Sequence, residues 1–512
     1  MKIVKIIIMT QFLIIFFSFP LISQVSVSWV SRYNNGFSGD AGIAITSDDS
    51  GYVYVTGNSY GGPTRQDLVV LKYSPTGVTK WVQRIADTVN NNFMSGFDIE
   101  VDNYNEVYVG GSGMTKYDIN GNLIWRNPSK SYNAIVLDEM GSVYGTGGSA
   151  RYTTRKIDGS GNIVWERTYD TLDQNKPYDI VLDNNDNVIV TGRGAQTSST
   201  GDYVTIKYSN SGNQDWIRKF NGGGNDIAYA VTTDQLNNVY VTGWNSNSNV
   251  DILTIKYSPT GDTIWKAVYD DGGGDIGYDI EVDSLGFVYV AGVTHSNDYV
   301  TLKYDRIGNL LWSRVQPSQL IPWNPTLKLD KYRNIYMSYV SYRTGNYENY
   351  AVVKYNNDGV QQWIGEYNNG GSSINIIYDM ALDKNANVFV TGRSGGSMAT
   401  VKFVQTPTAI NQATNNYPEE FKLEQNYPNP FNPTTNLEFG IPSVRGKSNL
   451  EFVSLKVYDV LGNEVSTLVN EKKNAGRYEV EFDGSNFPSG IYFYSLTVDG
   501  IVIDTKRMIL LK

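Results

Sequence analysis

Short runs of apolar residues that alternate with polar or small ones recur along most of the chain, separated by turns rich in glycine, asparagine and proline. The runs are of four recurring kinds, represented by "YDIVLD", "NVIVTG", "YVTIKY" and "IVWERTY". A period of two with β-branched and aromatic residues predicts strands. Turns such as "DNNDN" and "SPTGD" join the first kind to the second and the third to the fourth, which predicts hairpins. Each unit of about 40 to 52 residues therefore predicts four strands.

Tryptophan marks the fourth run of every unit. The tryptophans of this frame are Trp29, Trp81, Trp125, Trp165, Trp216, Trp265, Trp312 and Trp363. Glycine stands four residues before each of them except Trp29, which opens the series. Conversely, the third run that ends at Phe403 has no fourth run behind it. We therefore expect the segment from Val25 to Tyr33 to complete the last unit, because pairing the two ends leaves no exposed sheet edge.

Four short strands per unit is the size of one propeller blade. The predicted fold is all-β: an eight-bladed β-propeller over residues 25–404, closed by the N-terminal strand and followed by a small C-terminal β-sandwich. The unit, for example Asn221 to Trp265, resembles the seven-bladed β-propeller (SBBP) repeat family in its "VYVTG" and "KY…G…W" frame. The family name implies seven blades, whereas this sequence contains eight units.

Residues that recur in every unit are expected to be structural. The tryptophan should pack between blades or against the turn glycine, and the aspartate that ends the first run should cap its hairpin by an Asx turn. The turn "DNNDN" places Asp183, Asn185 and Asn187 at alternate positions, as in a calcium loop, but it lacks the glycine and the distal glutamate of that loop. The sequence thus predicts no cofactor and no metal ligands, with calcium as an open alternative.

One pattern breaks the eightfold repeat. An aromatic residue and an aspartate open the first run of alternate units, at Phe97-Asp98, Tyr178-Asp179, Tyr278-Asp279 and Tyr378-Asp379, where the other units have Ala44, Ala134, Ala230 and Thr326. Because the first strand of a blade should be innermost, we expect these carboxylates to ring one mouth of the central channel. They are candidates for holding a cation or ligand, or for accepting hydrogen bonds from backbone N–H groups of neighbouring blades.

The loops at that mouth vary most in length and sequence, and variable loops on a rigid scaffold usually determine binding specificity. Their candidate aromatic residues are Tyr60, Trp244, Trp323, Tyr342 and Tyr347. Such side chains stack on sugar rings or peptides, or simply pack within their loops. A glycan or a protein is therefore the expected ligand.

Composition narrows the function. The net charge of −10 argues against nucleic-acid binding, and the absence of cysteine excludes disulfides and thiolate metal sites. A single histidine, His295, disfavours a histidine-based zinc site or a serine–histidine triad, and no catalytic residue is assigned. The sequence favours a binding protein over an enzyme. Two enzyme alternatives stay open: a quinone-cofactor dehydrogenase, because the Gly-to-Trp spacing is similar to a motif of that family, and a carbohydrate-active propeller enzyme.

The N-terminus predicts a secretory signal peptide over residues 1–23. Lys2 and Lys5 precede an apolar stretch from Ile6 to Phe19, and Ser23 is a small residue suited to a cleavage site. A single membrane anchor is the alternative, although the stretch is shorter than a comfortable span. No later segment is apolar enough to span a bilayer, so we expect no integral membrane span after signal removal.

The C-terminal segment differs in composition from the repeats. A polar linker is expected at 405–425, and strand-like runs follow the motif "NYPNPFNPTT". Residues 426–512 resemble the type A sorting domain of the type IX secretion system of Gram-negative bacteria, in that motif and in "VYDVLGNEV", "PSGIYFY" and the ending "KRMILLK" with Lys506, Arg507 and Lys512. The resemblance implies the secretion machinery as a partner, export through the periplasm, and release or display at the cell surface. An ordinary adhesive sandwich module is the alternative.

Overall fold

The computed structural model describes residues 24–511 apart from 62–63, 90–91, 149–150, 171–174, 196–200, 247–248, 319–321, 344–346, 371–373, 407–420, 443–450 and 474–475. Every regular element within these residues is a β-strand, so the all-β expectation is confirmed. The described residues include no helix long and apolar enough to cross a membrane. The predicted signal peptide and Lys512 lie outside the described residues.

The first half of the repeat region contains seventeen strands. They are β1 (Gln24–Tyr33), β2 (Ala41–Ser47), β3 (Val53–Gly61), β4 (Thr64–Tyr73), β5 (Thr79–Ile85), β6 (Gly96–Val101), β7 (Val107–Gly111), β8 (Gly113–Tyr117), β9 (Leu123–Asn127), β10 (Ala134–Leu137), β11 (Val143–Gly147), β12 (Tyr152–Ile157), β13 (Ile163–Tyr169), β14 (Lys176–Leu182), β15 (Val188–Ala195), β16 (Gly201–Tyr208) and β17 (Gln214–Phe220).

The second half contains fifteen strands, and seven more follow in the C-terminal segment. The first group is β18 (Asp226–Thr233), β19 (Val239–Ser246), β20 (Val250–Tyr257), β21 (Thr263–Tyr269), β22 (Ile276–Val282), β23 (Val288–Val293), β24 (Tyr299–Tyr304), β25 (Leu310–Gln316), β26 (Thr326–Leu329), β27 (Ile335–Arg343), β28 (Tyr347–Tyr355), β29 (Gln361–Tyr367), β30 (Asn375–Leu382), β31 (Val388–Ser394) and β32 (Ser397–Thr406). The second group is β33 (Lys422–Leu423), β34 (Thr434–Ile441), β35 (Glu451–Tyr458), β36 (Glu464–Lys473), β37 (Gly476–Asp483), β38 (Gly490–Val498) and β39 (Ile501–Leu510).

Strands β1 to β32 form eight antiparallel sheets of four strands each, an arrangement typical of β-propellers. Seven sheets consist of four consecutive strands, beginning with β2 to β5 and ending with β26 to β29. The remaining sheet has the order β1-β32-β31-β30 and so takes its outer strand from the start of the chain. Strand β1 pairs with β32 from Gln24 opposite Thr406 to Tyr33 opposite Met398, and not with β2.

Neighbouring sheets pack face to face, and the apolar cores lie between them. One core combines Tyr144 and Tyr152 of one sheet with Val190 and Ile206 of the next. The first strand of each sheet contacts the first strand of the following sheet, and β30 contacts β2. These eight first strands, β2, β6, β10, β14, β18, β22, β26 and β30, are called the inner wall below.

An Asx turn closes the first hairpin of every sheet. In the first sheet, Asp48 Oδ1 accepts the backbone N–H groups of Ser50 and Tyr52, and Oδ2 accepts the hydroxyl of Tyr54. The aspartate at the same position accepts the two backbone N–H groups in all eight sheets. The expected capping role of these aspartates is therefore confirmed.

Seven tryptophans of the Gly-to-Trp frame pack on the turn glycine of the following sheet, and not on a glycine four residues before them in the sequence. The ring of Trp265 lies over Gly308 of the following sheet, where a built Cβ would come within 2.8 Å of the ring and φ is +90. The Trp265 indole N–H also donates to the Arg306 carbonyl at 3.0 Å. Seven tryptophans lie over a turn glycine in this way, as pairs 29/77, 81/121, 125/161, 165/212, 216/261, 265/308 and 312/359. Glycine is required there both by the positive φ and by the close approach of the indole.

The C-terminal strands form two antiparallel sheets, with orders β33-β34-β37 and β36-β35-β38-β39. The two sheets share one apolar core that includes Phe439, Leu455, Tyr494 and Met508. The core also contains Leu423 of β33, which is 2% exposed. Strand β32 extends to Thr406 and β33 spans Lys422–Leu423, so residues 405–406 and 422–423 of the predicted linker belong to strands.

Candidate functional site

A β-bulge interrupts the inner wall in six sheets. The ladder between first and second strands skips one residue at each bulge, and the skipped residues are Ile43, Phe97, Tyr178, Tyr229, Tyr278 and Tyr378. Bulges re-aim side chains and are frequent beside binding sites. In each aromatic–aspartate pair the aromatic residue is therefore the bulged one and has no partner on the second strand, whereas the aspartate is paired with that strand.

Each of the four patterned aspartates links two sheets. Asp179 Oδ1 accepts the backbone N–H of Ile180, and its Oδ2 accepts the backbone N–H of Val231 in the next sheet, both at 2.8 Å. The corresponding links between sheets run from Ile135 to Asp98, from Leu327 to Asp279 and from Ile45 to Asp379. The N–H donors directly follow the Ala44, Ala134, Ala230 and Thr326 positions, whose small side chains leave room for the carboxylate. These contacts are the structural role considered for the aspartates, and a cation or ligand role stays a prediction.

Three further charged side chains share this face. Glu100, Glu281 and Lys328 lie two residues beyond the aspartate position, and a spacing of two keeps side chains on one face of a strand. The Lys328 ammonium lies 3.5 Å from the Glu281 carboxylate. Burial lowers the pKa of Lys328, but Glu281, Asp279, Asp379 and Glu100 together raise it above its ordinary value. These acids come from three different sheets, so the charge of Lys328 is balanced by several sheets rather than by its own.

Burial shifts the acids of the inner wall toward their protonated forms. It raises the pKa of Asp98 to about 6, and that of Asp179 and of Asp379 to about 7, against the backbone hydrogen bonds that lower each pKa. It raises the pKa of Glu100 to about 8, with Asp98 contributing in the same direction. At neutral pH these acids of the inner wall therefore carry less negative charge than their number suggests.

An aromatic collar stands where the inner-wall strands begin. We define it by Phe97, Tyr178, Tyr229, Tyr278, Trp323 and Tyr378. Tyr229 stacks on Tyr278 with ring centroids 5.1 Å apart, and its other neighbour Tyr178 lies edge-on at 4.9 Å. Trp323 lies edge-on to Tyr378 at 5.7 Å. Phe97 and Trp323 are each 41% exposed, so the collar presents accessible ring surface beside the variable loops.

The other predicted loop aromatics do not join the collar. Tyr60 is half-buried and its ring packs against Gly39, while Trp244 is half-buried in β19. The Tyr342 hydroxyl donates to Glu348 Oε1 at 3.4 Å. Tyr347 begins β28, and its side chain is not among those that the structure describes. Of the five predicted loop aromatics, Trp323 is thus the one that the described structure places at the collar.

A cleft of about 710 Å³ opens beside Phe97, among residues of the second sheet in chain order and of the loops before and after that sheet. We call it the Arg126 cleft; its lining includes Phe93, Ser95, Phe97, Ser112, Arg126 and Lys130. The connection between β7 and β8 is the single residue Ser112, whereas three residues connect β19 to β20. Phe93, in the loop before β6, is 57% exposed.

A histidine and two aspartates cluster at another loop. Donor atoms of Asp271, Asp275 and His295 lie within 4.8 Å of one another, a spacing that suits a cation. Asp275, however, accepts the backbone N–H groups of Asp271 and His295, both at 2.9 Å, and so holds the two loops together. His295 Nδ1–H donates to Asp271 Oδ1 at 2.5 Å, and this hydrogen bond raises the pKa of the histidine.

The turn that resembles a calcium loop is an Asx turn. Asp183 Oδ1 accepts the N–H groups of Asn185 and Asn187, and Oδ2 lies 2.6 Å from Lys207 Nζ. Burial raises the pKa of Asp183, but hydrogen bonds from Lys207 and Asn187 outweigh it and lower the pKa. These donors already engage both carboxylate oxygens, which supports the structural interpretation of this turn.

Several residues of the site were not predicted from the sequence. Tyr229 stands at the position of the aromatic residue in the aromatic–aspartate pairs, but Ala230 follows it instead of an aspartate. A search for the pair therefore does not find it. Glu100 and Lys328 were detectable by counting two residues on from the aspartate position. No repeated signal marks Phe93 or Arg126, because the cleft depends on loops that differ in every unit.

Two protein-family models match the chain. The model described as secretion system C-terminal sorting domain matches residues 425–510, and the model described as β-propeller repeat, SBBP, matches residues 270–299. Both resemblances drawn from the sequence motifs are therefore confirmed. The chain carries β-propeller repeats and a C-terminal sorting domain, which indicates export by the type IX system to the cell surface or the medium.

Solved structures bear on the fold alone. Sqt1 from Chaetomium thermophilum is 8% identical, with a TM-score of 0.51 over 75% of this chain and 100% of that chain. A protein of unknown function from Bacteroides caccae is 10% identical and covers 51% of this chain and 94% of its own, but at a TM-score of 0.32 it supports no argument. No curated protein sequence matches the chain.

Proposed function

We propose that this chain is a secreted or cell-surface binding protein whose ligand face is formed by the aromatic collar and the loops around it. The collar carries the proposal. It gathers six aromatic side chains from five of the innermost strands and one loop, and two of these side chains are 41% exposed. Aromatic faces beside variable loops on a rigid scaffold are a common form of binding site for sugars and peptides.

The scaffold in this proposal is an eight-bladed propeller over residues 25–404, closed by β1. Two observations support closure. Strand β1 supplies the outer strand of the sheet that contains β30 to β32, and β30 contacts β2 of the first complete sheet. Closure of this kind removes exposed sheet edges and holds the inner wall rigid.

The C-terminal segment serves export in this proposal. Residues 1–23 act as signal peptide, the chain crosses the periplasm, and residues 426–512 fold as a β-sandwich that the type IX machinery recognises. Lys506 and Arg507, on β39, and Lys512 are the proposed recognition residues. The match to a sorting-domain model over residues 425–510 supports this route.

Binding is favoured over catalysis by the state of the inner-wall aspartates. A glycosidase needs two carboxyl groups roughly 5 to 9.5 Å apart that reach the substrate. Asp98, Asp179, Asp279 and Asp379 instead accept two backbone hydrogen bonds each, which commits them to holding sheets together.

A glycan array combined with a hydrolysis screen tests the binding function. We expect the mature chain to capture glycans without cleaving them, and Trp323→Ala to weaken capture about tenfold through loss of ring stacking. Tyr104→Ala is the matched control, since Tyr104 is 77% exposed and lies in a first-hairpin turn. Product release would favour the enzyme alternative, and equal losses in the two variants would place the ligand face elsewhere.

Export is tested separately by removing residues 426–512 in the native host. The truncated chain should accumulate in the periplasm, and Lys506→Ala with Arg507→Ala should produce part of the same defect. Fractionation followed by immunoblotting measures the distribution. Arrival of the truncated chain at the cell surface would contradict the proposed role of the segment.

A further inference from the structure

Two cations of the Arg126 cleft are left without an acidic partner. Among the described residues, neither Arg126 nor Lys130 forms an ion pair, although the whole chain carries a net charge of −10. Arg126 donates one hydrogen bond, to the Ser112 carbonyl at 3.1 Å, and its buried Nε has no partner within the described part of the chain. Two neighbouring cations without an acidic partner favour an incoming anionic group.

In each of the two neighbouring sheets, by contrast, an arginine pairs with an acid of its own sheet. Arg84 contacts Asp67 at a salt-bridge distance, and Arg155 Nε lies 2.5 Å from Glu166 Oε2. The acid among the described lining residues is Asp87, and it accepts hydrogen bonds from the Val89 backbone and from the Asn92 side chain. The positive charge of the cleft is therefore available to a ligand.

The same cleft offers flat apolar surface and small polar groups. Phe93 and Phe97 are 57% and 41% exposed, and the Arg65 guanidinium lies 5.7 Å from the Phe93 ring centroid. Several serine hydroxyls, among them Ser95 and Ser112, line the wall. Exposed rings suit the apolar face of a sugar ring, and hydroxyl groups suit its ring hydroxyls.

We infer that the Arg126 cleft binds a carboxylate-bearing sugar of an acidic glycan. The Arg126 guanidinium and the Lys130 ammonium pair with the carboxylate, and the sugar ring stacks on Phe93 and Phe97. A planar guanidinium matches a carboxylate in bidentate geometry. The inference rests on the proposed binding function and assigns its ligand class, because Phe97 belongs both to the collar and to this cleft.

Isothermal titration of the full mature chain with trigalacturonic acid tests the inference. The fully methyl-esterified trimer is the matched ligand, since it keeps the rings and removes the charge. We expect the esterified trimer to bind about tenfold more weakly, because charge-assisted hydrogen bonds are lost. Affinity for the acid should fall as salt rises, whereas affinity for the ester should not.

Variants separate the charge from the rings. Arg126→Gln, Lys130→Gln and Phe93→Ala should each weaken binding of the acid about tenfold. Lys130 is exposed, so its variant keeps the test informative if Arg126→Gln fails to fold. Lys80→Gln and Phe37→Ala are the matched controls outside the cleft and should bind as the parent does. Phe37 is 54% exposed, close to the exposure of Phe93.

Three outcomes would overturn the inference. They are equal binding of acid and ester, no binding of the acid, and binding that the three cleft variants leave unchanged. If the acid does not bind, but another glycan is captured and Trp323→Ala abolishes that capture, the acidic-sugar site is overturned while the proposed binding function stays intact. A chain that captures no ligand on the array and in titration would remove both.

Discussion

Seven junctions between sheets are built alike, and the eighth is not. At a regular junction the tryptophan lies over a turn glycine of the following sheet and donates its indole N–H to a carbonyl of that turn. Trp363 faces the sheet that contains both β32 and β1, where no turn joins the two outer strands. Its indole is 1% exposed, packs in a core with Phe403, and has no hydrogen-bond partner among the described residues.

At the eighth junction the Gln405 side chain takes over some of the hydrogen bonds that a turn forms at the other junctions. At a regular junction Lys303 donates to the Asn357 carbonyl at 2.9 Å, and the Tyr289 hydroxyl donates to Asn357 Oδ1 at 2.8 Å. At the eighth junction Lys354 donates to Gln405 Oε1 at 3.0 Å, while Gln405 Nε2 donates to the Tyr336 hydroxyl at 3.3 Å. The comparison teaches that joining two chain ends preserves the polar contacts of the lysine and tyrosine but not the hydrogen bond of the tryptophan.

Removal of residues 24–33 should have the largest effect on this comparison. The deletion strips β1 from β32, exposes a sheet edge and removes the strand that holds the eighth sheet together. We expect the melting temperature to fall by more than about 10 °C, or the cooperative transition to vanish. Near-UV circular dichroism on heating measures both. Removal of residues 426–512 serves as control and should leave the first transition in place; equal loss in both deletions would contradict the role of β1.

A matched pair of conservative substitutions probes the two kinds of junction. Trp265→Phe removes the indole hydrogen bond to Arg306, whereas Trp363→Phe removes an N–H that has no partner within the described residues. Both tryptophans are at most 9% exposed, so the loss of packing is similar. We expect the free energy of unfolding to fall by about 1 kcal/mol more for Trp265→Phe. Urea denaturation gives the difference; equal losses would mean that Trp363 has an equivalent partner.

Two substitutions at turn positions with positive φ should change the free energy of unfolding in opposite directions. Gly308 has a φ of +90 and a built Cβ would lie 2.8 Å from Trp265, so Gly308→Ala should destabilise the chain by about 1–3 kcal/mol. Ala386 has a φ of 59 in a first-hairpin turn, and Ala386→Gly should stabilise it by up to about 1 kcal/mol. Chemical denaturation of the two variants checks the signs. Stabilisation by Gly308→Ala would contradict the packing of the tryptophan on the turn.

We expect the smallest of these effects at the inner wall, where a buried acid makes stability depend on pH. Burial raises the pKa of Glu100 from 4.5 to about 8, so the folded state favours its protonated form. The stability from this group is present below about pH 4.5 and is lost as the pH rises toward about 8. Glu100→Gln should therefore raise the melting temperature by a few degrees at pH 8 and by less at pH 5. Glu139→Gln, at an exposed glutamate, is the control; an identical response would contradict the shifted pKa.

The fold was predictable where the same local geometry recurs in every unit and requires the same type of residue each time. A turn that needs a positive φ needs glycine or a short side chain, and a hairpin that needs a cap needs aspartate, so both recur in the sequence at constant spacing. The linker ends were less predictable, because Lys422–Leu423 is too short a strand to show alternation. The link from Ile45 to Asp379 joins residues 334 positions apart and was open only as an alternative role for the aspartate.

By itself, the sequence determined the repeating four-strand unit, the pairing partner available to the first strand and the identity of the C-terminal segment, because periodic patterns and dense motifs record local geometry. Only the tertiary structure decided which side chains meet around the inner wall: Glu100 opposite Lys328, Tyr229 within the collar, and Phe93 beside Arg126. Those encounters are between residues of different sheets or of loops that follow no repeat. Their proximity depends on how the sheets pack, which no spacing along the chain encodes.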